Sequence, residues 1–246
     1  MRIPRIFTPE PLQTGTTVYL DDNAAQHVGK VLRMQVGQAV SLFNGDGLDY
    51  PATLVDVGKK SVQVDIGEAS ANTTESPLAI VLGQVLSRGD RMDYAIQKSV
   101  EMGVARIVPL VSERCEVKLK GDREDKRVKH WQSVAISAAE QCGRAMVPEV
   151  AAICTIGDWL AQTAGCDLRL VLHHRTAQSL AGLAKPTSLA LMIGPEGGLT
   201  DEEIRIAEAA GFLPAALGPR VLRTETAPVA AMAVCQWLWG DAQPGT

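Results

Sequence analysis

The chain has 246 residues, with 24 lysines and arginines against 28 aspartates and glutamates, a formal net charge of −4 and a pI near 5.6. Hydrophobic residues make up 46% and charged residues 21%, which suits one large or two modest globular domains and excludes bulk disorder. No apolar run approaches the ~20 residues that span a bilayer, the first five residues hold no secretory h-region, and the five scattered cysteines indicate neither a disulfide framework nor a zinc site. The expectation is a cytoplasmic, metal-free protein.

Residues 1 to about 68 read as β-rich. Short strand-like runs lie at 16–20 (TTVYL), 39–43 (AVSLF) and 61–66 (SVQVDI). Turn signals at 21–23, 44–47 and 58–60 separate them, and Asn44-Gly45 suits a tight hairpin because both residues tolerate positive φ. Residues 24–32 (AAQHVGKVL) predict a short helix. So many short strands in so short a stretch suggest a small barrel. The segment 69–77 (ASANTTESP) is small, polar and ends in proline, so it is the best linker candidate, placing domains at 1–70 and 78–246.

Strands and helices then alternate. Residues 78–86 (LAIVLGQVL) form a continuous apolar run, as expected for a strand covered on both faces. Helices are predicted at 92–102, 128–141, 201–210 and 227–239, and strands at 107–111, 168–173, 188–193 and 215–217. That alternation argues for a parallel α/β sheet. The closing helix is apolar on nearly every side and needs cover all round.

Charge is unevenly placed: residues 1–76 are net −3, 77–130 net +3 and 131–246 net −4. Seven basic residues (Arg114, Lys118, Lys120, Arg123, Lys126, Arg127, Lys129) fall within sixteen positions. They read either as a solvated face or as a phosphate-contacting surface.

Two segments carry the chemistry. In 189–203 (LALMIGPEGGLTDEE) an apolar strand runs into a glycine-rich turn and then a helix. Thr200 with Glu203 three residues on spells a capping box. Glycines let the backbone approach a ligand, and ligands of open α/β sheets bind at that strand edge. A phosphate cradle is disfavoured: no Lys-Ser/Thr follows the loop, and Asp201, Glu202 and Glu203 already occupy the helix's positive end. A neutral or cationic ligand fits better. In 217–228 (LGPRVLRTETAP), Gly218-Pro219 forces a turn, Arg220 and Arg223 flank Val221-Leu222, and Thr224 and Thr226 are positioned to cap the next helix. With Leu172-His173-His174, these make three loops at successive strand ends. Adjacent histidines in a strand point to opposite faces, so His173 and His174 read as structural, and Cys142 and Cys235 as packed helix residues.

IGPEGGLTDEE followed about twenty residues later by LGPRVLRTETA resembles the SPOUT superfamily of knotted methyltransferases, and within it the bacterial 16S ribosomal RNA uracil-N3 methyltransferases. Arg5-Ile6-Phe7, His27–Arg33 (HVGKVLR), Ser87–Glu101, Ser112-Glu113-Arg114 and Glu140–Arg144 (EQCGR) extend the likeness over nearly the whole chain. The resemblance implies an α/β trefoil-knot methyltransferase domain behind a small PUA-like β-barrel, and a homodimer that covers the closing helix. It implies S-adenosyl-L-methionine bound by Leu172, Gly194, Gly197, Leu217, Gly218, Leu222 and Arg223, largely through backbone groups. The implied reaction is methyl transfer to N3 of a uridine in 16S rRNA of the small ribosomal subunit, with the barrel and the basic stretch (Arg114, Lys118, Lys120, Arg123, Lys126, Arg127) holding RNA. Arg223 is the expected catalytic group, with a loop pin through Glu225 or Glu196 as its structural alternative. The competing readings are a ribose 2′-O methyltransferase of the same fold and a non-catalytic ribosome-assembly or RNA-binding protein. No membrane or metal partner is expected.

Overall fold

The computed structural model describes residues 3–58, 61–173, 180 and 182–243. His174 and the turn residues Lys59 and Lys60 lie outside them. The chain divides into two compact units, one of residues 1–75 with Ala139–Val147 and one of residues 76–138 with the remainder from Pro148.

The first unit is a mixed sheet of β1 (Arg5–Phe7), β2 (Thr17–Tyr19), β3 (Ala39–Phe43), β4 (Leu48–Val57), β5 (Val62–Ile66) and β6 (Ser70–Ala71). Its order is β1-β3-β4-β5-β2, with β6 on β4, and only β1 and β3 run parallel. Period-two alternation buries Tyr50, Ala52 and Leu54 of β4 and Val62, Val64 and Ile66 of β5 on one face. β4 does not stand out in the sequence because it contains Pro51, which argues against a central strand. Pro51 is tolerated here, and its carbonyl accepts the Gly67 N–H at 2.7 Å.

Three local expectations differ from the structure. Positive φ in the β3–β4 turn falls on Gly45 and Gly47, not Asn44, whose side chain instead accepts the Asp46 N–H at 3.2 Å. The helix expected at 24–32 is α1 (Asp22–Gln26), capped by Asp21, followed by one π-helical turn (His27–Val31). The expected linker is fastened down: Ser70–Ala71 pairs with β4, Asn72 donates to Asp49 (2.8 Å) and to the Gly143 carbonyl (3.0 Å), and Glu75 pairs with buried Arg144 at 2.6 Å. Its polar side chains, which suggested solvent, are its anchors. Glu140 likewise accepts the Phe7 N–H at 3.0 Å, and burial raises its carboxyl above the ordinary glutamate range against that hydrogen bond and the nearby His27.

The second unit is an all-parallel sheet of β7 (Ala79–Val85), β8 (Val104–Val111), β9 (Glu149–Val150), β10 (Cys154–Thr155), β11 (Leu168–Leu172), β12 (Ser188–Ile193) and β13 (Leu213–Ala215). The order is β10-β8-β7-β12-β11-β13, with β9 on β8. The helices are α2 (Arg91–Glu101), α3 (Asp122–Cys142, whose last turn belongs to the first unit), α4 (Ile156–Gln162), α5 (Asp201–Ala209) and α6 (Thr226–Trp239). The inner strands β7 and β12 carry the largely apolar runs that burial on both faces requires, broken in β7 by the buried Gln84. Gly83 of β7 is glycine because Trp159 lies over it: an added Cβ would meet the indole at 2.6 Å. Trp159 in turn packs on Phe212 with ring centroids 5.2 Å apart. The segment 149–162 escaped sequence reading because β9 and β10 are two residues each. α3 begins at Asp122, six residues before the expected start, with Asp122, Glu124 and Asp125 filling its positive end. Since these strands are parallel, the C-terminal ends of β11, β12 and β13 lie at one edge of the sheet, where the loops after β12 and β13 begin.

Candidate functional site

A cavity of about 360 Å³ opens at that edge. Of the residues expected to hold a ligand, Leu172, Gly194, Gly197, Leu217, Gly218 and Leu222 line it, together with His173. Arg223 is not among the lining residues, although its neighbours Leu222 and Thr224 are. Sequence reading did not find Arg114 and Asp201 as wall residues.

Local rules account for the shape of these loops. Gly198 (φ +70°) donates its N–H to the Pro195 carbonyl at 2.9 Å and Gly218 adopts φ +77°, conformations that side chains resist. Gly194 serves protein packing, whereas a side chain at Gly197 would meet its neighbours at an ordinary distance. A Cβ at Gly194 would lie 3.0 Å from the Leu199 side chain, and one at Gly197 3.4 Å from Arg114. The close approach inferred from Gly194 is therefore made to the loop's own Leu199. Thr200 and Glu203 form the expected capping box (3.1 and 2.8 Å), and the second Glu203 oxygen accepts the Glu113 N–H at 2.8 Å. Arg114 donates to the Gly197 and Leu199 carbonyls (3.2 and 3.5 Å), so its guanidinium is turned to the loop. Lys118, Lys120, Arg123, Lys126 and Arg127 are exposed, the last three on the first turns of α3.

Thr224 does not cap α6. The N-cap is Glu225, which makes no side-chain cap bond. The Thr224 hydroxyl instead donates to the Gly194 carbonyl at 2.9 Å and accepts from Gln84 Nε2 at 3.1 Å. Gln84, fully buried at the end of β7, thus joins the loop after β12 to the loop before α6. Nothing in the local sequence marks Gln84 or this use of Thr224, because the partners lie 140 and 30 residues away.

The carboxylates that were alternative partners for Arg223 belong to Arg91. Its Nη1 lies 2.8 Å from Glu196 and its Nε 4.0 Å from Glu225. Burial works against ionisation of Glu196, but hydrogen bonds from its own N–H, the Arg88 N–H and Arg91 outweigh it and hold its carboxyl below the ordinary glutamate range. Arg223 is exposed, and its carbonyl accepts the Thr226 and Ala227 N–H groups, both at 3.0 Å, at the start of α6. Among the described residues its guanidinium has no hydrogen-bond or ion-pair partner. Burial pushes the Cys235 thiol up to about 12, in keeping with a packed residue.

The family model for an RNA methyltransferase domain matches residues 74–236, and that for an RNA methyltransferase PUA domain matches residues 20–67. Ribosomal RNA small subunit methyltransferase E of Buchnera aphidicola (from Acyrthosiphon pisum) is 34% identical, over 98% of this chain and 95% of that protein. The chain belongs to the ribosomal RNA small subunit methyltransferase E family. The Bacillus subtilis member is 29% identical over 94% of both chains. A Neisseria gonorrhoeae member solved with bound S-adenosyl methionine superposes with a TM-score of 0.92 at 42% identity, over 98% of this chain and all of that one. A Legionella pneumophila protein solved with bound SAM gives 0.95 at 43%, with the same coverage. The resemblance drawn from the two loops is thereby borne out at the level of family, as is the mixed α/β methyltransferase architecture with its PUA domain.

Replacing Thr224 by valine keeps the volume and removes both hydrogen bonds, leaving the buried Gln84 amide and Gly194 carbonyl short of a partner. Urea unfolding is expected to show a loss of about 1–3 kcal/mol, with Thr224→Ser close to wild type. Equal stability of the valine variant would show that the bridge does not hold the loops.

Proposed function

We propose that this chain transfers the methyl group of S-adenosyl-L-methionine to N3 of a uridine in 16S rRNA of the small ribosomal subunit, in the cytoplasm. The observation that carries the reading is the meeting of the end of β11 (Leu172, His173) with the loops after β12 and β13 around one cavity, in a chain whose relatives are solved with that cofactor.

The residues present fit the cofactor. The cavity wall is loop backbone and apolar side chains (Leu172, Ile193, Leu199, Leu217, Leu222), with two acids, Glu196 and Asp201, and two arginines, Arg114 and Arg220, standing on it. Acids already fill the positive end of α5, so that helix end is no phosphate site, and the acids and arginines of the wall suit a zwitterionic ligand with a cationic centre. When bound, S-adenosyl-L-methionine supplies an electrophilic methyl on a sulfonium. In our reading Leu172, Gly194, Gly197, Leu217, Gly218 and Leu222 hold it.

Uracil N3 carries a proton whose pKa lies well above neutrality, so the protein must stabilise charge that spreads onto the flanking carbonyls as that proton leaves. Arg223 suits this work: it is exposed beside the cavity rather than on its wall, no carboxylate among the described residues holds it, and the start of α6 fixes its backbone. We assign it to the substrate rather than to the cofactor. The exposed bases Lys118, Lys120, Arg123, Lys126 and Arg127 would contact RNA phosphates, with Arg114 joining them through the loop it braces.

The finer architecture belongs to the same proposal. Residues 1–70 would act as a PUA-like barrel that holds RNA, and 78–246 as a SPOUT domain with a trefoil knot. The knot is supported by the chain path: it leaves β12, passes to β13 on the far side of β11, and returns through residues 216–225 to α6, which packs near β12. A homodimer is supported by the outer face of α6, where Val234 and Trp237 are 37% and 54% exposed. Sedimentation as a monomer at micromolar concentration would contradict it.

Arg223→Ala is expected to lower the single-turnover methylation rate about 10²–10³-fold while cofactor affinity stays within a few fold. Arg223→Lys should restore little, because one ammonium does not reproduce the planar fork. Near-normal chemistry in the alanine variant, with cofactor pre-bound, would remove Arg223 from the reaction.

Reversing Arg123, Lys126 and Arg127 to glutamate should weaken binding to ribosomal particles and flatten its salt dependence, since fewer counterions are released. Unchanged methylation at physiological salt would make the patch a solvated face.

A further inference from the structure

We propose that Arg91 is the positioning residue that sets the two loops of the cofactor cavity against each other from outside. The inference rests on the cofactor reading above and adds a residue that neither loop contains. Arg91 is the first residue of α2, and α2 packs against α6, so its Cα is fixed by helix and by helix pairing. From there it reaches Glu196, in the tight Pro195–Gly198 turn of one loop, at 2.8 Å, and Glu225, directly after Thr224 of the other, at 4.0 Å. The Arg88 N–H, just before α2, donates to the same Glu196 oxygen at 3.2 Å.

The chemistry of the trio favours positioning over stability. The Arg91 and Glu196 side chains are each about a third exposed (39% and 32%), and ion pairs of that kind contribute little to global stability. Their value lies in geometry. Glu196 stands on the cavity wall, so a shift of that carboxylate moves the wall. Glu225 is more enclosed. One of its oxygens is buried and, among the described residues, has no hydrogen-bond partner, so the neighbouring guanidinium is its compensating charge. A planar fork with donors on different nitrogens serves two carboxylates in different directions, whereas a single ammonium serves one. Thr224 and Gly194 close the loops on the inner side, and Arg91 closes them on the outer side.

The test is calorimetric titration of the full chain with S-adenosyl-L-methionine, alongside steady-state methylation of small ribosomal subunits. Arg91→Ala should keep a melting temperature close to wild type. It should raise the cofactor Kd and KM about tenfold, equivalent to about 1.4 kcal/mol of binding. Turnover at saturating cofactor should stay within a few fold. Arg91→Lys should recover part of the affinity, and Glu225→Gln should raise KM in the same sense. Wild-type binding with an unchanged Kd in Arg91→Ala overturns the Arg91 role alone. No binding by the wild-type chain overturns the cofactor reading, and this inference falls with it. A melting temperature far below wild type in both Arg91→Ala and Glu225→Gln assigns the trio to fold stability and also overturns the proposal.

Discussion

The Thr224 hydroxyl, donating to the Gly194 carbonyl while accepting from Gln84, is the contact on which the site depends. Parallel strands deliver loops to a common edge, but nothing in a parallel sheet fixes those loops relative to one another. A buried amide at the end of β7, beside β12, supplies a fixed point. From Gln84 the connection runs to Thr224 and on to Gly194, so the loop before α6 is aligned on the loop after β12. The fold adds a second connection at the surface, where Arg91 reaches Glu196 and Glu225. The inner contact is neutral, buried and costly to break. The outer one is charged, partly exposed and of small weight in stability.

This arrangement explains why so few side chains in the two loops look catalytic. Three of their polar side chains hold the loops. Glu203 serves the Thr200 and Glu113 backbones, Glu196 serves Arg91 and Arg88, and Thr224 serves Gly194. Arg223 is left facing solvent beside the cavity, with its backbone fixed at the start of α6. A group so placed is available to an incoming nucleobase. The same economy fits a cofactor recognised mostly through backbone, where recognition lies in the path of the chain.

Legibility in the sequence followed the range of each interaction. The β12 run and the Thr200–Glu203 box are local, and both were readable because strand burial and capping each leave a short signature. The two loop motifs identified the family because their residues are contiguous. Residues whose partners are distant were misread in a consistent direction. Thr224 resembled a cap because a threonine before a helix usually is one, and only folding brings Gly194 and Gln84 to it. Asn72 and Glu75 resembled a linker because polar residues near a proline usually face water, yet they bind Asp49, Gly143 and Arg144. Arg91 carries no local signature, because its partners Glu196 and Glu225 lie more than a hundred residues away. Gly194, expected to let backbone approach a ligand, has a protein neighbour of its own in Leu199.

The central claim is that this cavity directs a methyl group to a uridine of the small ribosomal subunit. The most direct measurement incubates the purified chain and S-adenosyl-L-methionine carrying a labelled methyl with small subunits from cells lacking this enzyme, then maps the rRNA nucleosides by mass. The account predicts one new labelled nucleoside, N3-methyluridine, in 16S rRNA, formed far better on the assembled particle than on naked RNA. Label on a ribose 2′-oxygen, or no label despite cofactor binding, would contradict it.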